Sequence, residues 1–241
     1  EAPAGMVTSI GLPSPGLEGF LAGDLNRLVE LPVPLIVSVM ASSAEHFIEL
    51  VEGVSAVEGV AGIELNVSCP NVHSGLIVGE QPDETLALMD KLRPRTSLPL
   101  IVKLTPNVAN PDRIAVAAEE GGADAVSLIN TVKAAGIDPN HNRTWLGVGA
   151  GGLSGPAVRP IALAQTRTVS SAVQIPVIGM GGITDGESAL EFILAGATVI
   201  AVGTENFRDP AAGNAVRDGL GAALARRGFD SLAAAQTSTL S

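Results

Sequence analysis

PLIVKLT, residues 99–105, carries the repeating signal of this chain's architecture. It is an apolar, largely β-branched run that opens on a proline and is too short for a helix. Its hydrophobicity is continuous rather than alternating, so a strand built from it is buried on both faces, as in a parallel sheet covered by helices. Five more stretches have the same character: PLIVSVMA (34–41), AGIELNV (61–67), DAVSLINT (124–131), PVIGMGG (176–182) and TVIAVGT (198–204).

A helical pattern lies between most of these strands. Ser42 to Glu45 reads as a capping box before HFIELV. Leu86, Met89 and Leu92 fall on one face of a helix beginning near Pro82. Asn110 caps a helix with Pro111 at its first position and Gly121 at its end, and Asp209 and Pro210 open the last one. Strand, loop and helix repeat, which predicts a single α/β domain over residues 1–241. Six units are too few to close a TIM (β/α)8 barrel, and the chain begins abruptly with EAPAGMVTSIGLPSPG, with no strand before it. About two β/α units, on the order of 60 residues, are therefore expected to be missing from the N-terminal side. Lys133 to Gly152 breaks the rhythm. It has no helical period and contains Gly136, Pro139, Asn140 and Asn142, which makes it a candidate lid.

Composition narrows the function classes. The chain has 241 residues, 46% of them hydrophobic, enough for a sizeable core. Fourteen Lys plus Arg against 25 Asp plus Glu give a net charge of −11, which repels a phosphate backbone and argues against nucleic acid. Aromatic content is 2% with no Tyr, so base stacking is not expected either. No apolar run reaches the roughly 18 residues of a membrane span. One cysteine excludes an internal disulfide, disfavours a cysteine-rich metal site and fits a reducing, cytoplasmic compartment. No metal site is expected.

That cysteine is Cys69, in NVSCPN (66–71). The strand before it ends at Val67 and Pro70 stops any ladder, so Cys69 sits on a turn at a strand terminus, where barrels place reacting groups. A lone cysteine is most often a small buried hydrophobe. Here Asn66, Ser68 and Asn71 surround it, and a base among such groups suits proton removal from a small, uncharged, hydrogen-bonding ring. Lys103 lies in an otherwise apolar strand, where an ammonium is costly unless it meets a negative group or snorkels from the strand end. It could balance an anionic flavin ring or form a Schiff base. Asn130 and Thr131 close the next strand with an amide and a hydroxyl. His46 reads as a helix surface residue and His141 as a lid residue without partners. His73, in the loop after Cys69, has no clear reading. Glycines gather at later strand ends: Gly151, Gly152 and Gly155, then Gly179, Gly181 and Gly182, then Gly203 beside Thr204. Glycine lets backbone approach an anion and a following helix adds positive potential, so the pairing predicts a phosphate-bearing cofactor.

Taken in order, NVSCPN, IVKLTPN, LINT, GGLSGPAVRPIAL, IPVIGMGGI and AVGT resemble the dihydroorotate dehydrogenases of class 1, over essentially the whole chain. The cysteine at position 69, where class 2 enzymes carry serine, sets it with class 1. PAGM with GLPSPGLE, and GGLSGPA with GMGG, look most like class 1B. The resemblance implies an FMN-containing TIM barrel that oxidises dihydroorotate to orotate in pyrimidine synthesis. It implies Cys69 as the general base at C5, with hydride leaving C6 for flavin N5. Asn66, Asn71, Asn130 and Thr131 match ring-binding positions, and the backbone of Ile10, Gly11 and Leu12 matches the part that meets the substrate carboxylate. Lys103, Ile129, Gly155, Gly181, Gly182, Gly203 and Thr204 match FMN positions, with Asn66 reaching both flavin and substrate. It also implies a homo- or hetero-oligomer, with an FAD and iron–sulfur electron-transfer subunit as partner. One departure stands out: Thr8 occupies a position usually held by asparagine, and a hydroxyl cannot match an amide's paired donor and acceptor at that reach. Three other readings stay open. One is an FMN enzyme resembling the flavin domain of dihydropyrimidine dehydrogenase, which lacks Asn71. Another is a cofactor-free Schiff-base lyase using Lys103. The last is a non-catalytic paralogue.

Overall fold

The structure, a computed structural model, describes residues 4–11, 13–68 and 79–238. The six predicted strands all form and share one sheet. They are β2 (Leu35–Val39), β3 (Val60–Asn66), β4 (Leu100–Lys103), β5 (Ala125–Leu128), β10 (Val177–Met180) and β11 (Val199–Ala201), in the order β11-β10-β5-β4-β3-β2. The pairs β2–β3, β3–β4 and β10–β11 are parallel. β5 is buried at all four positions, as its continuous hydrophobicity requires.

The chain divides into two compact units. One runs Ile10–Leu104 and Arg113–Val126. Its core is Phe47, Val51 and Val54 of α3 (Ala44–Ser55), Leu88, Met89 and Leu92 of α4 (Pro82–Leu92), and the buried sides of β3 and β4. Truncating Phe47, which is 1% exposed, would cost about 3–5 kcal/mol in transfer and cavity terms. The other unit takes in the N-terminal strand, Thr105–Asp112 and the chain from Ser127 onward. Its core joins Ala162 and Val169 of α6 (Arg159–Ser170), Leu190, Phe192 and Ile193 of α7 (Gly186–Leu194), and Val216 and Ala223 of α8 (Ala212–Arg226).

Helix boundaries follow the sequence signals with small shifts. The cap of α3 is Ser43, whose hydroxyl accepts from His46 N at 3.2 Å, one residue later than the box read from Ser42. α5 (Pro111–Glu120) starts on its proline, and Gly121 follows it. The buried face of α4 is Thr85, Leu88, Met89 and Leu92, with Leu86 half-buried beside it. Asp209 precedes α8 by a turn and binds Ala211 N at 2.9 Å, while Ala211 itself is the cap.

One strand is added to the six expected and one expectation is corrected. The added strand is β1 (Met6–Thr8), which pairs antiparallel with β9 (Gly151–Ser154). The stretch from 133 to 152 is ordered into short strands: β6 (Val132–Ala134) pairs with β9, and β7 (Ile137–Asp138) with β8 (Arg143–Thr144). Strands of two to four residues outside a long continuous apolar run show no hydrophobic period, so they read as loop in the sequence.

Candidate functional site

In the unit holding β2 to β4, three neighbouring strands set up a polar row. Their register pairs Ser38 with Glu64 and Asn66 with Lys103. Residues two apart on a strand share a face, so Glu64 and Asn66 point together while Ile63 and Leu65 fill the opposite, buried side. Ser38 Oγ donates to Glu64 Oε1 at 2.8 Å, and Lys103 Nζ lies 3.4 Å from the same oxygen. The Lys103 and Glu64 side chains are only 21% and 12% exposed. The negative group that Lys103 was expected to need is thus supplied within the chain. Past the end of β3, Ser68 N donates to Asn66 Oδ1 at 3.3 Å and Ser68 Oγ to Lys103 O at 3.3 Å, which draws the ends of β3 and β4 together. Cys69, Asn71, His73 and Leu12 lie outside the described residues. Ile10 and Gly11 are exposed.

The second unit gathers the glycines. Gly155, Gly181 and Gly182 have φ of +92°, +130° and +79°. A Cβ on Gly182 would stand 2.8 Å from Gly155 O and 2.9 Å from Arg159 Cβ, so only glycine lets these two backbone segments approach. A Cβ on Gly155 would stand 3.5 Å from Thr204 Cγ2, and one on Gly181 would stand 3.2 Å from Ile129 Cγ1. Ile129 N donates to Met180 O at 2.9 Å. Ile129, Gly155, Gly181, Gly182 and Thr204 are therefore brought together. At Gly203, next to Thr204, an added Cβ would find no atom within 4 Å. The open space at Gly203, next to this closely packed glycine backbone, fits a phosphate group.

The helix after this surface, α7, is anchored by a full capping box. Asp185 Oδ1 accepts from Ser188 N at 2.8 Å, and Ser188 Oγ accepts from Asp185 N at 3.0 Å. The Ser188 backbone amide, then its hydroxyl, hold the Asp185 carboxyl below its ordinary value.

Asn130 and Thr131 stand after β5, and Thr131 N donates to Asn130 Oδ1 at 2.8 Å. An added Cβ on Gly152 would collide with Thr131 Oγ1, and Gly152 is the register partner of Thr8. Thr8, Gly152 and Thr131 thus form one neighbourhood. The sequence reading missed the residue that secures it. Asn107 Nδ2 donates to Thr131 O at 3.1 Å and Asn107 Oδ1 accepts from Lys133 N at 2.9 Å, bridging the segment on both sides of Val132. Its signal was the asparagine after Thr105-Pro106, a side chain suited to bonding backbone from a turn. His141 is also corrected: its Nδ1 lies 2.6 Å from Asp138 Oδ2, so it does have a partner. Among the described residues no cluster of His, Cys, Asp or Glu could hold a metal ion, and no helix is long and apolar enough to cross a membrane.

Comparison with known proteins gives one answer. The sequence profile of the dihydroorotate dehydrogenase family matches residues 1–224. The chain is similar to proteins named dihydroorotate dehydrogenase B (NAD(+)), catalytic subunit. One, from Desulforudis audaxviator, is 46% identical over 230 residues, covering 95% of this chain and 75% of the relative. Another, from Lachnoclostridium phytofermentans, is 47% identical over 221 residues, covering 91% and 73%. A crystal structure of DHODH from Eimeria tenella, in complex with ferulenol, superposes with a TM-score of 0.77 at 21% identity, covering 97% of this chain and 70% of that one. That likeness establishes the fold, an α/β chain of the TIM-barrel class.

Proposed function

Because the chain belongs to the dihydroorotate dehydrogenase family, we propose that it oxidises dihydroorotate to orotate with FMN as resident cofactor, in the manner of a class 1B catalytic subunit. The observation that carries the cofactor assignment is the open space at Gly203, beside Thr204 and the closely packed backbone of three positive-φ glycines. FMN supplies, when bound, an acceptor for the two electrons that leave C6 as hydride. Gly155, Gly181, Gly182, Gly203 and Thr204 would hold the phosphate, with Ile129 and Asn66 at the ring.

The remaining work falls to the chain's own groups. Cys69 takes the proton from C5, so that the C5–H pair becomes the new double bond as hydride departs. An ordinary thiol titrates near pH 8.5, so the residues of NVSCPN must ionise it or let it accept the proton in concert. Asn66, Asn71, Asn130 and Thr131 hydrogen-bond the pyrimidine ring, while the backbone of Ile10, Gly11 and Leu12 meets the carboxylate. Asn107 fixes the segment that presents Thr131. Lys103 supplies positive charge. A Schiff-base lysine must offer a free amine, and the ion pair with Glu64 occupies this one, which disfavours the lyase reading. Electrons would then pass to an FAD and iron–sulfur partner and on to NAD, a route in keeping with the relatives' names; the protein would work in the cytoplasm as an oligomer.

The full-length protein, purified without stripping, should carry one FMN per chain, and anaerobic dihydroorotate should bleach it. Absence of flavin, or flavin that dihydroorotate leaves oxidised, would overturn the assignment. Thr8 gives one observation in favour of a second reading. If an uncharged dihydropyrimidine bleaches the flavin and dihydroorotate does not, the enzyme is a pyrimidine reductase of the dihydropyrimidine dehydrogenase kind.

A further inference from the structure

We propose that Glu64 is a positioning residue for Lys103, and that the Ser38–Glu64 pair sets how much positive charge Lys103 delivers to the cofactor ring. The proposal rests on the FMN reading above and deepens it. Its ground is the geometry of β2, β3 and β4. Lys103 is level with Asn66 in the register, yet its ammonium lies 3.4 Å from Glu64 Oε1, two residues back along β3. The ammonium therefore lies beside the carboxylate of a residue two positions before its register partner. Glu64 is fixed in turn by the Ser38 hydroxyl at 2.8 Å, donated from the register partner on the next strand.

Three strands thus contribute one residue each to a chain of hydroxyl, carboxylate and ammonium that is exposed at Ser38 and mostly covered at Glu64 and Lys103. There, a charge is felt at several ångströms far more strongly than in water. An ammonium with its own carboxylate beside it presents a reduced net charge to anything else nearby. A flavin gains negative charge on reduction, so a bare lysine would favour the reduced form strongly and the paired lysine less so. Glu64 tempers that pull and fixes the ammonium in place. Neither property could be read from AGIELNV, where the glutamate looks like one polar position of a strand.

The test uses the full-length, FMN-loaded protein and two readouts other than turnover. The first is the rate at which Lys103 is acetylated by acetic anhydride, measured by peptide mass spectrometry. Glu64→Gln keeps the shape and the acceptor for Ser38 but removes the charge. It should speed labelling of Lys103 about tenfold, because the amine has lost its counter-ion, while Glu64→Asp should restore most of the protection. The second is the flavin equilibrium against a redox dye. Glu64→Gln should move the reduced-to-oxidised ratio about tenfold toward reduced, or about 30 mV for a two-electron couple. Unchanged labelling in Glu64→Gln overturns the pairing. Changed labelling with an unchanged flavin equilibrium overturns the tuning. If the glutamine variant does not fold, Ser38→Ala takes its place and should shift both readouts in one direction by a smaller factor, no shift again overturning the proposal. Wild type without flavin would defeat the cofactor reading itself, a result visible before any variant is made.

Discussion

Lys103 and Gly182 both stand at the C-terminal ends of sheet strands, and their surroundings are built from opposite materials. Around Lys103 the chain uses side chains: a hydroxyl, a carboxylate and an ammonium drawn from three strands. Around Gly182 it removes them, leaving backbone close to backbone at Gly155 and space at Gly203. The first arrangement tolerates changes of shape better than changes of charge. The second should have the reverse sensitivity, since its close packing at Gly155 O and Arg159 Cβ leaves no space for a single added methyl. Under the proposed function the difference would separate two tasks: holding a phosphate needs room and fixed amide geometry, whereas tuning a ring needs a placed charge.

The sharpest way to break the comparison is to damage the chemistry while leaving both surroundings intact. Cys69→Ser should slow flavin reduction by dihydroorotate about 10²-fold or more near neutral pH, with FMN affinity nearly unchanged. The residual rate should climb with pH, because an alcohol ionises far less readily than a thiol. Stopped-flow measurement across pH decides it, and a near-normal reductive half-reaction would make Cys69 a structural residue.

Next in size is Gly182→Ala. The new methyl meets Gly155 O and Arg159 Cβ at under 3 Å, and the backbone sits at a φ that costs a non-glycine residue roughly 1–2 kcal/mol. Overpacking adds about 1–3 kcal/mol. FMN should bind about 10- to 100-fold more weakly, with Lys103 acetylated at its wild-type rate. Equal loss of both properties would mean that the two surroundings are not separable.

Thr8→Asn sharpens the substrate assignment with a similar or smaller change. Thr8 is the register partner of Gly152, which lies under Thr131, so the position is next to a proposed ring contact. Restoring an amide hydrogen bond at a charged carboxylate should tighten dihydroorotate binding by roughly 1.5–3 kcal/mol and leave the rate of the chemical step nearly constant. Loss of flavin reduction by dihydroorotate in this variant would favour the pyrimidine-reductase reading.

What was legible in the sequence divides along the same line. The six strands and the glycine groups could be read because each signal is local: a continuous apolar run, or glycine where a side chain would ordinarily stand. β1 and the short strands between 132 and 154 could not, since each has only two to four residues and none lies in a long continuous apolar run. The Lys103 environment was half legible. An ammonium in PLIVKLT announces that it needs a counter-charge, but nothing in that stretch names Glu64, 39 residues earlier. Asn107 was overlooked for a similar reason, because its bonds go to the backbone of Thr131 and Lys133, and backbone partners leave no mark in composition.

The smallest expected effect concerns the helix that follows the glycine surface. Asp185 caps α7 by accepting from Ser188 N at 2.8 Å, and replacing such a cap with alanine costs about 0.5–2 kcal/mol. The pH dependence has a definite sign. The backbone bond from Ser188 holds the Asp185 carboxyl below its ordinary 3.8, so the folded state binds its proton less readily than the unfolded chain does. The stabilisation is therefore complete above the unfolded value and is lost as pH falls through the lowered one. Asp185→Asn keeps an acceptor without a titrating charge, so its stability relative to wild type should improve as pH drops below about 4. Asp185→Ala should be destabilised most at neutral pH and should approach wild type in acid. Urea denaturation at pH 7 and pH 3 reads both. A penalty for Asp185→Ala that is the same at the two pH values would show that the carboxylate's charge contributes nothing to anchoring α7 behind Gly182.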